Sequence, residues 1–111
     1  MIAITFKMDP VLLLQIEAIA IQRNVTIGTI MREAIERVLK EGKVPKTATS
    51  TDCSRSFSFK LDGEMLRELE RIAMKYNMTR SEVIRRALTS YVKEYEKRVN
   101  YPRARVEVLT L

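Results

Sequence analysis

The chain has 111 residues, of which 46% are hydrophobic and 31% charged, with only three glycines and three prolines. This composition is typical of a folded, helix-rich protein and excludes an intrinsically disordered one. The formal net charge of +6 favours a polyanionic partner, either nucleic acid or an anionic membrane surface.

Several residue types that enzymes and metal sites depend on are scarce. The chain has no histidine and one cysteine, Cys53, which excludes an intrachain disulfide and leaves too few ligands for a structural zinc site. Histidine is the commonest general base, and the sequence also has no nucleophile motif and no glycine-rich phosphate loop. We therefore expect no catalytic residues, no metal ligands, no cofactor and no small-molecule ligand.

No apolar run reaches the roughly 18 to 20 residues of a membrane-spanning helix, and the N-terminus does not have the order of a signal peptide. These features predict a cytoplasmic protein without a membrane partner. The abundance of Glu, Lys and Arg, with no His or Trp, favours a thermophilic source.

An internal repeat organises the chain. Shifting the sequence by 53 positions aligns residues 4–41 with residues 57–94 without a gap, and about a third of the pairs are identical. The identical pairs include Phe6 with Phe59, Lys7 with Lys60, Asp9 with Asp62, Asn24 with Asn77, Thr26 with Thr79, and Arg32 with Arg85. The repeat predicts two units, residues 1–41 and 55–100, joined by a linker at 42–54.

Each unit begins with alternating apolar and polar residues, Ile2 to Met8 and Arg55 to Leu61, which predicts a half-buried strand. Asp9 and Asp62 follow as helix N-caps, and the apolar spacing then changes to that of a helix face. The first of these helices is apolar around more of its circumference than one core face requires, which predicts self-association.

A second helix follows in each unit. Asn24 and Asn77 are suited to the left-handed conformation that ends a helix, and Thr26 and Thr79 are suited to cap the next one. The linker at 42–54 is polar around Pro45 and has no core-forming period. The tail, residues 101–111, has the composition of a strand. This composition predicts that the tail forms an oligomerisation strand.

The order of strand, helix and helix, with FKMD and FKLD before the first helix and NVT and NMTRSE between the helices, resembles the ribbon-helix-helix family. It is most similar to tandem versions found among archaeal and archaeal-virus regulators. The resemblance covers nearly the whole chain. It implies a mainly helical fold in which two strands pair antiparallel over a four-helix core, although the linker permits pairing within one chain or between two chains.

The resemblance also implies a function: a sequence-specific regulator of transcription, more commonly a repressor than an activator, that inserts a β-ribbon into the major groove of double-stranded DNA. The base-contacting residues would be the outward ones of the two strands, Ala3, Thr5, Lys7, Ser56, Ser58 and Lys60. The phosphate-contacting residues would lie at the start of the second helix of each unit, at Thr26, Ile27, Gly28, Thr79, Arg80 and Ser81.

Other interpretations remain open. Short polar residues also occupy the wet face of any half-exposed strand, and threonine caps helices whether or not DNA binds. An antitoxin-like or architectural protein-interaction module could use the same fold for assembly, and basic amphipathic helices can lie on anionic lipid. We expect double-stranded DNA and further copies of the chain as the partners.

Overall fold

The computed structural model describes the backbone of residues 1–110 and the side chains of residues 1–98. In chain order, the elements are β1 (Ile2–Met8), α1 (Pro10–Arg23), α2 (Ile27–Glu41), β2 (Arg55–Leu61), α3 (Gly63–Lys75) and α4 (Arg80–Thr110). Over these described residues the protein is mainly helical, with one two-stranded antiparallel ribbon and four helices, which confirms the predicted fold class.

The two strands of one chain pair with each other, and Ile2 lies opposite Leu61 at one end while Met8 lies opposite Arg55 at the other. The alternating pattern places Ile4, Phe6 and Met8 of β1, and Phe59 and Leu61 of β2, in the core. The Phe6 and Phe59 rings meet edge to face with their centroids 5.9 Å apart. The ribbon is therefore anchored along its inner face.

The local signals for helix ends act as predicted. Asn24 and Asn77 adopt left-handed backbone conformations, with φ of 57° and 54°. Asp9 accepts a hydrogen bond from the backbone N–H of Val11, and Asp62 accepts one from that of Met65. Each capped helix therefore begins at a fixed point relative to its strand.

Polar contacts cross between the two units at one side of the helical core. Arg23 and Glu33 form an ion pair of 2.6 Å, and the hydroxyl of the buried Tyr91 accepts a hydrogen bond from Arg23 and donates one to Glu33. The hydrogen bond from Arg23 lowers the pKa of Glu33 and is stronger than the opposing effect of burial. Beside this cluster, Arg37 of α2 pairs with Glu94 of α4.

The linker is docked on the helices. Val44 is buried in the core, and the hydroxyl of Thr49 donates a hydrogen bond of 3.1 Å to Glu82. Arg86 donates to the carbonyl of Pro45 over 3.4 Å. The polar composition of residues 42–54 gave no sign of these contacts, since they depend on groups distant in sequence.

The C-terminal segment differs from the prediction. Its strand-like composition predicted a strand, whereas α4 extends through Thr110. A helix already formed gains one hydrogen bond for each added residue, whereas a strand needs a partner. A role for residues 101–111 in oligomerisation stays a prediction, and their side chains lie outside the described residues.

In the part of the chain that the structure describes, no single helix is both long and apolar enough to cross a membrane. Helices α1 and α2 taken together meet the length and composition criteria, but the chain bends by 104° between them.

Candidate nucleic-acid interface

The outer face of the ribbon presents six exposed side chains, and they are the six that the sequence predicted. They lie in three opposed pairs: Ala3 with Lys60, Thr5 with Ser58, and Lys7 with Ser56. The hydroxyl oxygens of Thr5 and Ser58 are 2.7 Å apart at the centre. The face therefore combines three hydroxyl groups, two ammonium groups and the methyl groups of Ala3 and Thr5 on a rigid support.

This face is nearly two-fold symmetric about the pair of Thr5 and Ser58. Lys7 and Lys60 are equivalent in the repeat and lie diagonally, one toward each end of the ribbon. The symmetry is imperfect because Ala3 is equivalent to Ser56, which adds a hydroxyl group on one side only. The two halves of the ribbon thus differ in their hydrogen-bonding groups.

Two arginines tie the ribbon to the helices behind it. Arg32 of α2 donates a hydrogen bond to the backbone carbonyl of Lys60 over 3.2 Å, and Arg85 of α4 donates one to that of Lys7 over 2.8 Å. Each arginine crosses to the strand of the other unit. The sequence suggested Arg85, with Arg80 and Arg86, as a phosphate contact, but it did not assign Arg32 to the site or predict that either arginine binds the ribbon. The identity of Arg32 and Arg85 in the repeat was a signal that could have found this shared role.

The predicted phosphate-contacting residues lie at the starts of α2 and α4, with Thr26 and Thr79 directly before the first helical residue and the others in the first turn. Thr26 accepts a hydrogen bond of 3.1 Å from the backbone N–H of Thr29, and Thr79 accepts one of the same length from that of Glu82. The first N–H groups of a helix have no acceptor within it, so the amides of these turns suit an anion. Arg32 and Arg85 lie in these same helices, which connects both turns to the ribbon.

The two helix starts differ in charge. At α4, Glu82 pairs with Arg85 over 3.2 Å and with Arg86 over 2.9 Å, whereas Thr29 occupies the equivalent place in α2. Burial raises the pKa of Glu82, but hydrogen bonds from Arg86, Thr49 and Arg85 together lower it below its usual value. Glu82 is therefore a carboxylate that neutralises part of the positive charge of the second unit.

Arg80 also has an acidic neighbour, Glu70, at 3.4 Å. Arg32 of the first unit binds a carbonyl and, over 3.5 Å, the hydroxyl of Thr29, and the side chains that the structure describes give it no carboxylate partner. Part of the positive charge near the start of α4 is thus paired with carboxylates, whereas that of Arg32 is not paired with any described carboxylate.

Comparison with known proteins places this architecture in a family. A model described as "Ribbon-helix-helix protein, copG family" matches residues 55–95, which contain β2, α3 and the first half of α4. A protein of Sulfolobus islandicus rod-shaped virus 1, "Uncharacterized protein 59", is 48% identical over 50 residues, which are 45% of this chain and 85% of that protein. The chain belongs to the ribbon-helix-helix family. The comparison with solved structures gave no significant match.

Ribbon-helix-helix is a non-enzymatic fold of DNA-binding transcription regulators, whose members bind DNA as dimers with a β-ribbon as the reading element. In this chain, β1 and β2 form such a ribbon within one molecule. Among the side chains that the structure describes, no three from His, Cys, Asp or Glu lie close enough to hold a metal ion.

Proposed function

We propose that this protein is a sequence-specific regulator of transcription that binds double-stranded DNA by inserting its ribbon into the major groove. The observation that carries the proposal is the exposed face of the ribbon, whose six outward side chains are held by a buried inner face. A two-stranded ribbon fits the major groove, where each base pair has a distinct pattern of donors and acceptors.

The outward side chains have the chemistry that this readout needs. The hydroxyl groups of Thr5, Ser56 and Ser58 can donate or accept hydrogen bonds, and the ammonium groups of Lys7 and Lys60 can reach guanine acceptors. The methyl group of Ala3 can contact that of thymine. Since Ala3 and Ser56 are equivalent in the repeat, we expect an operator that is an imperfect palindrome.

The helix starts supply the second kind of contact. We assign the backbone N–H groups around Thr26, Ile27 and Gly28, and around Thr79, Arg80 and Ser81, to phosphates on either side of the groove. Phosphate contacts position the protein, while the ribbon selects the sequence. The net charge of +6 favours approach to DNA.

We further propose that binding represses transcription. A protein bound over a promoter blocks polymerase without any additional contact, and the described residues can form a complete reading element from a single chain. Transcription in vitro from a template whose binding site overlaps the promoter should fall as the protein is added. The same site placed upstream of the promoter should leave transcription unchanged, and a rise there would identify an activator.

The direct test of binding is selection from a pool of random duplex DNA at several salt concentrations, followed by sequencing of the bound fraction. The wild type should enrich one DNA motif. In Ser58→Ala and Lys60→Ala, the preference for the wild-type base should fall by about 1–3 kcal/mol at the base pair that the removed side chain contacts. The matched control is Lys40→Ala, which removes one exposed charge from the last turn of α2. It should enrich the unchanged motif.

Undetectable or salt-insensitive binding would contradict the proposal and favour the alternative of a protein-interaction module that uses this fold for assembly. Loss of the motif in Lys40→Ala as well as in Lys60→Ala would show that net charge, and not the ribbon, governs binding.

A further inference from the structure

Helix α1 has an exposed apolar stripe on the side facing away from the core. Val11, Leu14 and Ile21 are 61%, 65% and 80% exposed, and Ala18 is exposed between them. Their spacing of three, four and three residues aligns them along one face of the helix. No charged residue interrupts this stripe.

The equivalent helix shows that the fold does not require these residues. In α3, the same four positions hold Glu64, Arg67, Arg71 and Met74. The positions that α1 buries, in contrast, remain apolar in α3: Leu13 with the partly buried Leu66, Ile16 with Leu69, Ile19 with Ile72, and Ala20 with Ala73. The repeat thus maintains the core face and changes only the outer face, so the apolar stripe of α1 needs an explanation beyond folding.

We propose that this stripe, Val11, Leu14, Ala18 and Ile21, is a contact between two copies of the chain, in which α1 packs antiparallel against α1 of the second copy. Two copies related by a two-fold axis use the same patch, so the patch must fit itself. An axis at residue 16 places Val11 opposite Ile21 and Leu14 opposite Ala18. Each large central side chain then faces a small one, which allows two helices to approach closely.

Charge also favours a second copy on this face. Two chains of net charge +6 repel each other, so a contact between them needs a surface without further positive charge. The residues beside the stripe are the uncharged Gln15 and Gln22 on one side and the acidic Glu17 on the other. The matching face of α3, with Arg67 and Arg71, would oppose such a contact.

The area of the stripe predicts a weak association. Full burial of a Val, Leu or Ile side chain removes on the order of 100 Å² of apolar surface. At the exposures of Val11, Leu14 and Ile21, six side chains from two copies would bury roughly 400 Å², which is less than the roughly 1,200 Å² of a stable interface. The contact should form at high protein concentration, or where DNA holds two copies side by side. Only the expectation that DNA holds two copies side by side rests on the proposed function.

The first test measures the mass of the full chain by sedimentation equilibrium without DNA, up to millimolar concentration. The triple variant Val11→Glu, Leu14→Arg, Ala18→Arg gives α1 the outer residues of α3, a face that this fold already tolerates. We expect the wild type to associate reversibly and the triple variant to remain a single chain with an unchanged circular dichroism spectrum. The control Arg71→Ala, on the matching face of α3, should associate like the wild type.

The second test examines the antiparallel arrangement. The variant Leu14→Glu, Ala18→Lys places opposite charges together only if the two helices run antiparallel, whereas Leu14→Glu, Ala18→Glu places like charges together in either direction. We expect the Glu and Lys variant to associate at least tenfold more tightly than the variant with two Glu residues. Equal masses for these two variants, a wild type that stays a single chain at millimolar concentration, or a triple variant that associates like the wild type would overturn the proposal.

Discussion

At the scale of single residues, Arg32 and Arg85 connect the reading face to the helices. Each guanidinium donates to the carbonyl of a lysine whose side chain projects from the outer face of the ribbon. A guanidinium presents several donors in a fixed plane, so it can hold a carbonyl and a second acceptor together. Arg85 holds Glu82 as well, and Arg32 holds the hydroxyl of Thr29.

We predict that Arg32→Ala and Arg85→Ala each lower the free energy of unfolding by about 1–2 kcal/mol, because each removes hydrogen bonds made by a charged group. Each alanine variant should also bind the selected DNA site more weakly. Lysine at either position should restore little of the stability or the affinity, because it lacks the planar set of donors of a guanidinium. Urea unfolding and fluorescence anisotropy measure the two effects. Wild-type values for both alanine variants would show that the arginines do not support the ribbon.

The acidic residues predict how stability depends on pH. Hydrogen bonds from arginine lower the pKa values of Glu33 and Glu94 in the folded protein. Burial raises the pKa of Glu82, but its hydrogen bonds from two arginines and Thr49 together lower it. A lowered folded pKa contributes stability that is present above the unfolded pKa and is lost as the pH falls through the folded value. The free energy of unfolding should therefore be nearly constant from about pH 6 to 8 and decline below about pH 5.

Urea unfolding from pH 3 to 8 measures this dependence. In Glu82→Gln, the free energy of unfolding should decline less below about pH 5 than in the wild type. Since the chain has no histidine, a decline between pH 6 and 8 would contradict the account.

At the scale of elements, the turn between the two helices of each unit depends on one residue. Asn24 and Asn77 have positive φ, where a residue with a Cβ atom is strained unless it is Asn or Asp. The turn fixes how the start of α2 or α4 lies relative to the preceding helix. It therefore positions the amides that we assign to phosphates.

Asn77→Ala should lower the free energy of unfolding by about 1 kcal/mol, because the Cβ atom of alanine is strained in the left-handed conformation. Asn77→Gly is the matched control and should be tolerated, since glycine adopts this conformation without strain. Thermal unfolding of both variants measures the difference. An alanine variant as stable as the glycine variant would contradict the structural role of the turn.

The local parts of the fold were predictable from sequence because their causes are local. The alternation from Ile2 to Met8 gave both the strand and its outer face, and the Asn and Thr residues gave the turns and caps. The burial of Val44 and the contact of Arg32 with the ribbon were not predictable, since each is determined by groups from another element. The strand predicted for the tail was wrong because composition does not tell whether a partner strand is available.

At the scale of the whole molecule, the two units are similar in fold but differ where they meet. Tyr91 is equivalent to Val38, and Arg23 to Tyr76, so the cluster of Arg23, Glu33 and Tyr91 forms on one side of the molecule only. On the other side, the hydroxyl of Tyr76 donates to the carbonyl of Gly42 over 3.4 Å. Such differences favour pairing of the first unit with the second over pairing of like units.

Tyr91→Phe should lower the free energy of unfolding by about 1 kcal/mol, since it removes the hydroxyl that links α4 to Arg23 and Glu33. Tyr76→Phe makes the same chemical change at a longer, weaker hydrogen bond and should have a smaller effect. Urea unfolding compares the two. A larger loss for Tyr76→Phe would contradict the importance of the cluster.

The most direct measurement of the central claim is the affinity of the protein for its selected duplex after single atoms of the major groove are changed. Replacing guanine by 7-deazaguanine, or thymine by uracil, beneath the ribbon should weaken binding, while changes in the minor groove at the same base pairs should not. Where Lys60 contacts a guanine, replacing that guanine by 7-deazaguanine should no longer weaken the binding of Lys60→Ala. The same replacement should still weaken the binding of Lys40→Ala. Binding that is indifferent to every change in the major groove would contradict readout by the ribbon.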